Sequence, residues 1–220
     1  MNRRWKEFID CLRLARYGYR FGTNSLLSLF FWIAIFVFQS ILNGASLVDG
    51  MWCAMPGMFF VQTIVSCDIP TMVQTSPYKK AIQVRIPVYV LTASTLILYT
   101  IDVIYKHFCF VNYSHARSGI AESFILAYVF FVVAAFAYPA AYKSIEFGIG
   151  IIGITSVSVF GILSVYHKYE TDFISLGINK MIIIGYVIIV LSGICQRIIA
   201  ERMYKKEFFK NIFKGYAGTY

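Results

Sequence analysis

Few residues in this chain are spaced for chemistry, and most of those sets lose that meaning once their neighbours are read. Gly148-Ile149-Gly150-Ile151-Ile152-Gly153 has the GxGxxG spacing, which in a soluble βαβ unit holds a pyrophosphate against backbone N–H groups. That chemistry needs a preceding strand and a downstream acid, whereas these glycines open an apolar run. Small residues on an apolar helix let backbones approach closely, so Gly150, Gly153 and Gly161 read as helix-packing positions. No GxxxxGK[ST] occurs to cradle nucleotide phosphates. No HExxH, no His/Cys metal spacing and no Ser/His/Asp set occurs either, so no metal site and no catalytic residue is expected. His107, His115 and His167 stand singly in connections and read as surface residues. Asp102 lies one turn before Lys106, an i,i+4 pair expected at the outer end of a span, and Glu122 is expected to start the next helix. No ionisable residue is expected at the middle of a span, which argues against a proton relay. The mid-span polar residues Gln39, Gln62, Thr63, Thr155, Ser156 and Ser158 read as interhelical hydrogen-bonding groups or as the lining of a pathway.

The elements that carry these residues are apolar runs at roughly 25–43, 51–67, 86–105, 120–141, 147–165 and 180–199. Each is close to the length that crosses a hydrocarbon core about 30 Å thick. The chain is 59% hydrophobic and 14% charged over 220 residues, and its mean hydropathy is +0.67. In lipid every backbone N–H and C=O must be paired within the segment, so such runs must be helices. The expected fold class is an all-α membrane protein with six transmembrane helices, organised as 1–22, 23–200 and 201–220.

Charge sets the orientation. Of the 20 Lys and Arg residues, only Lys106, Arg117, Lys168 and Lys180 fall on one side. The rest lie in the first 20 residues, in the second-to-third connection (Lys79, Lys80, Arg85), at Lys143, and from Arg197 to Lys214. Positive residues resist translocation, which predicts that the N and C termini and the 68–86 loop are cytoplasmic. The net charge of +9 then reflects this bias and anionic lipid headgroups, and no nucleic-acid partner is expected. The second run is the weakest span, short and interrupted by Pro56-Gly57. No cleavable signal is expected ahead of the first run. Of Cys11, Cys53, Cys67, Cys109 and Cys195, only Cys53 and Cys109 share the outer side, where they are either paired or separate thiols.

The inner segments are the patterned ones. On a helical wheel Trp5, Phe8, Ile9, Leu12, Ala15 and Tyr19 gather on one side and Lys6, Asp10, Arg13 and Arg20 on another. With Arg16, this predicts a basic amphipathic helix in the inner membrane interface, an elbow leading into the first span. The other reading is an ordinary basic flank. In the loop 68–86, Ser76 ahead of Pro77 is a helix start. Tyr78 to Arg85 then forms a short basic helix along the membrane, ended near Pro87, which is either fit to enter a groove on a soluble partner or a mere interfacial hairpin.

These segments resemble the permease subunits of ABC type-2 exporters. The resemblance lies in the basic elbow, the six spans, the loop Ser76-Pro77-Tyr78-Lys79-Lys80-Ala81-Ile82-Gln83-Val84-Arg85, the turn Tyr138-Pro139-Ala140-Ala141-Tyr142-Lys143-Ser144-Ile145-Glu146-Phe147-Gly148, and the basic tail Glu201-Arg202-Met203-Tyr204-Lys205-Lys206-Glu207. It implies that Ser76, Pro77, Tyr78, Lys79, Lys80, Gln83 and Arg85 form a coupling helix that docks on a separate ATPase. It also implies two ATPase copies carrying ATP and magnesium, a second permease subunit as homo- or heterodimer, a bacterial plasma membrane, and an amphipathic or peptide-like substrate. The short outer connection at 165–180 points to the compact branch of peptide or antimicrobial export and immunity. Leu191-Ser192-Gly193-Ile194-Cys195-Gln196 imitates an ABC ATPase signature but lies inside a span. Two rival readings stand beside this one. One is a substrate-binding membrane subunit of a vitamin uptake system, and the other is a non-transporting immunity or scaffold protein.

Overall fold

The computed structural model describes residues 21–41, 80–143 and 145–204, together with residues 6, 8–10, 13, 53, 54, 56, 57 and 77. All regular structure among them is helical. In chain order the helices are α1 (Phe21–Ile41), α2 (Ile86–Asn112), α3 (Arg117–Lys143), α4 (Ile145–Lys168), α5 (Glu170–Ser175) and α6 (Ile178–Met203), with a π-helical turn at Ala81–Arg85 and a 3₁₀ turn at Ser114–Ala116. Three stretches, Ile86–Asn112, Ser114–Phe136 and Ile178–Arg202, are long and apolar enough to cross a membrane. The chain thus has the character of a transmembrane helical protein. Most of the elbow, of the second apolar run and of the coupling loop lies outside the described residues.

Local chemistry explains where these helices stop. Tyr113 turns to extended backbone after Asn112. The Phe110 carbonyl, freed at the end of α2, is then taken by Arg117 Nε at 3.1 Å, and Asn112 Nδ2 donates back to Phe108 O at 2.8 Å. α3 begins at Arg117, so Glu122 falls in its second turn rather than at its start. His167 and Lys168 close α4, and Glu170 and Asp172 open α5, each charge suited to the helix end it occupies. Gly177 sits at φ 79°, ψ 152°, a conformation essentially open to glycine alone, and it sets the turn from α5 into α6.

Packing leaves α2 and α6 each with one covered face, while α3 is covered on more than one side. α3 lies against both α6 and α4, and α2 packs on α6. Thr92 and Tyr99 of α2 oppose Gly193 and Gly185 of α6 in antiparallel order. On α2 the covered positions Thr95, Leu98, Tyr99, Asp102, Val103, Lys106 and Cys109 recur at helical spacing, while Ile97, Ile101, Ile104, Phe108 and Val111 stay exposed. α6 likewise exposes Ile183, Val187, Val190, Leu191 and Ile194. Apolar faces this continuous suit a hydrocarbon solvent and would be a liability in water. At the centre Tyr99 meets Phe131 at 5.6 Å and Tyr186 at 5.1 Å, ring edge to ring face.

Candidate functional site

The covered face of α2 carries polar groups at every turn. Thr95, Tyr99, Asp102 and Lys106 are all buried there, a spacing of four, three and four residues that puts them in one line. Lys106 Nζ lies 2.9 Å from Asp102 Oδ2, with the two side chains 0% and 2% exposed. The ammonium also stands 4.9 Å from the centre of the Phe124 ring on α3, whose negative face attracts it. Two ions drawn out of solvent are expensive, and their attraction offsets that cost only while both are present. The i,i+4 pairing is as the sequence predicts, but its setting is not. α2 runs six residues past Lys106 to Asn112, about 9 Å at 1.5 Å per residue. The pair therefore lies inside the bundle rather than at a helix end.

Tyrosines tie this line to α6. Tyr128 on α3 donates to Met181 O at 2.5 Å, and Tyr99 on α2 donates to Ile182 O at 3.4 Å. Thr100 Oγ1 donates to Leu96 O at 2.7 Å and lies 2.9 Å from the Tyr186 hydroxyl. Close approach here depends on glycine, because a Cβ at Gly185 would overlap the Tyr99 hydroxyl and one at Gly193 would meet Thr92 Oγ1 at 2.6 Å. By contrast, a Cβ at Gly150, Gly153 or Gly161 meets no atom within 4 Å among the described residues. Sequence reasoning missed Tyr99, Tyr128, Gly185, Gly193 and Gln196. For Tyr99 the usable signal was the line of polar residues at helical spacing along the otherwise apolar α2.

The basic leader of α2 is placed only in part. Pro77 is exposed in a turn and Lys80 is exposed in helical backbone. Ser76, Tyr78 and Lys79 lie outside the described residues, as does the side chain of Gln83. Arg85 is half-buried, while Ala81, Ile82 and Val84 are buried in a turn that packs on α6. A separate helix ending near Pro87 is therefore corrected: the backbone passes through Pro87 without a break. The Ile86 N–H bonds to Ala81 O, five residues back. A proline ring clashes with the carbonyl four residues before it, here Gln83. The wider π-turn moves that carbonyl aside and lets the helix continue.

The remaining candidates are scattered. In the elbow, Phe8 is half-buried and Arg13 lies 3.9 Å from Asp10. Trp5, Arg16, Tyr19 and Arg20 are outside the described residues, as are Gln62 and Thr63 and the side chains of Gln39, Thr155 and Ser156. Cys53 and Cys109 are buried thiols with no disulfide between them. At the far end of α4 the Tyr166 hydroxyl donates to Ser118 O at 3.1 Å, and Ser118 Oγ donates to Glu170. His107, His115 and His167 are exposed. No group of three His, Cys, Asp or Glu side chains comes together among the described residues. The chain matches no family model, no curated protein and no solved structure.

Proposed function

We propose that the chain is the transmembrane permease subunit of an ATP-driven ABC exporter. In this reading it is a multi-pass protein of a bacterial plasma membrane, with six spans and both termini in the cytoplasm. Two permease subunits enclose a pathway for an amphipathic or peptide-like substrate. Two ATPase subunits hold the ATP and magnesium, and the permease itself performs no hydrolysis.

The observation that carries the reading is the helical continuity from Lys80 through Arg85 into α2. A basic cytoplasmic segment joined to a long apolar helix acts as a lever, because a push on the segment cannot be absorbed by a flexible joint. α2 is in turn held to α6 by Tyr99 and by the close approaches at Gly185 and Gly193. Closure of the ATPase pair would then tilt α2 and α6 together. The charge asymmetry of the connections supports the orientation this requires.

The test is recovery of the full chain from its own membranes. An ABC ATPase should accompany it in equal numbers. Lys80→Glu with Arg85→Glu should lower the stimulated ATPase rate while membrane insertion and helix content stay unchanged. A chain that remains active without any ATPase, or stimulation untouched by both charge reversals, overturns the reading.

A further inference from the structure

Between α2, α3 and α6 lies a cavity of about 20 Å³, room for a single oxygen-bearing group. Phe131, Ala134 and Ile189 give it apolar walls, and Gln196 of α6, followed by Thr95 of α2, is the most buried polar residue lining it. Gln196 is 1% exposed, and its Nε2 has no hydrogen-bond partner among the described residues. A buried amide N–H left unpaired is costly, so the cavity calls for a hydrogen-bond acceptor. Thr92 and Ser192 line the same cavity and are only half-buried, so it reaches the surface of the bundle.

Its depth narrows the source of that acceptor. Along α6 the exposed side chains are apolar through Val187, Val190, Leu191 and Ile194. They turn charged at Arg197 and Glu201, which pair at 3.3 Å in the open. Tyr89, exposed near the start of α2, is an aromatic residue of the kind that collects at the membrane–water boundary. Gln196 therefore sits where the hydrocarbon gives way to the polar interface, the level at which glycerolipids carry their ester carbonyls.

We propose that this cavity is a lipid site: it seats one ester carbonyl of a membrane glycerophospholipid, with Gln196 Nε2 donating to the carbonyl oxygen. The acyl chain continues along the exposed apolar faces of α2 and α6. The proposal concerns lipid held by this chain alone and stands apart from the transport reading.

The test compares two probes on the purified full chain in detergent, dioleoyl phosphatidylglycerol and its diether analogue, which lacks the carbonyls. Bound lipid is counted by native mass spectrometry. The diester should bind about 10-fold more tightly, the worth of one buried hydrogen bond. Gln196→Leu should reduce it to the level of the diether with helix content unchanged. Equal affinity for the two probes, or a preference that survives Gln196→Leu, overturns the proposal and leaves the cavity to a water. Should the variant fail to fold, the wild-type chain decides by infrared spectroscopy of carbonyl-labelled diester. A hydrogen-bonded ester band at one per chain is expected, and its absence overturns the proposal.

Discussion

Asp102 and Lys106 form an ion pair at 2.9 Å that is closed to solvent on every side. Each partner is tolerable only because the other is present, since a lone charge in that position has neither water nor a counter-ion. Removing either one therefore leaves an uncompensated buried charge.

Lys106→Met or Asp102→Leu alone should destabilise the bundle by about 3–5 kcal/mol. The double variant should recover most of that loss, because two apolar side chains fill the same space without a charge. Reversible unfolding in mixed micelles checks this. Losses that simply add would mean the two side chains do not act as a pair.

A second prediction concerns the approach of α2 to α6. Gly185→Ala puts a methyl group where the Tyr99 hydroxyl lies, and overpacking of that kind costs about 1–3 kcal/mol. Combining it with Tyr99→Leu should cost less than the two single changes together, because the smaller side chain vacates the contested space. A thermal-unfolding cycle of the four proteins measures the difference.

Tyr128→Phe deletes one hydroxyl and its hydrogen bond to Met181 O. The expected loss is about 0.5–1.5 kcal/mol, with the ring still packed. Tyr166→Phe at the C-terminal end of α4 removes the bond to Ser118 O and should cost no more, since that bond is only partly buried.

Pro87→Ala restores an N–H and removes the clash that the π-turn accommodates. The helix should persist and the turn should relax toward regular α geometry, rotating Lys80 by about 100° relative to α2. Spin-label distances from position 80 to the α2–α6 core would report the rotation. Under the proposed function, stimulated ATPase activity should fall with it while stability changes little.

The orientation is open to a direct check. His115 is exposed in the turn between α2 and α3, which the charge bias places outside the cell. In a chain lacking its other cysteines, His115→Cys should react with a membrane-impermeant maleimide added to intact cells. Protection there, with reaction only after lysis, would invert the topology.

Apolar length and charge placement are properties of a linear segment, and the sequence by itself determined what depends on them. These include the helical membrane character, the long apolar runs near 86–105, 120–141 and 180–199, the charge placement along the connections, and the i,i+4 spacing of Asp102 and Lys106. Faces and neighbours are decided by three helices meeting at once, so they were left to the tertiary structure. Asp102 and Lys106 are buried because α3 brings Phe124 over them, which no count along α2 reveals. Among the described residues the close glycine approaches between α2 and α6 fall at Gly185 and Gly193, because those two lie opposite Tyr99 and Thr92 in the antiparallel pair. Pro87 read as a stop because proline alone usually is one, and the preceding π-turn reversed that. Gln196 carried no signal in the sequence, since an unpaired amide exists only once its surroundings are closed.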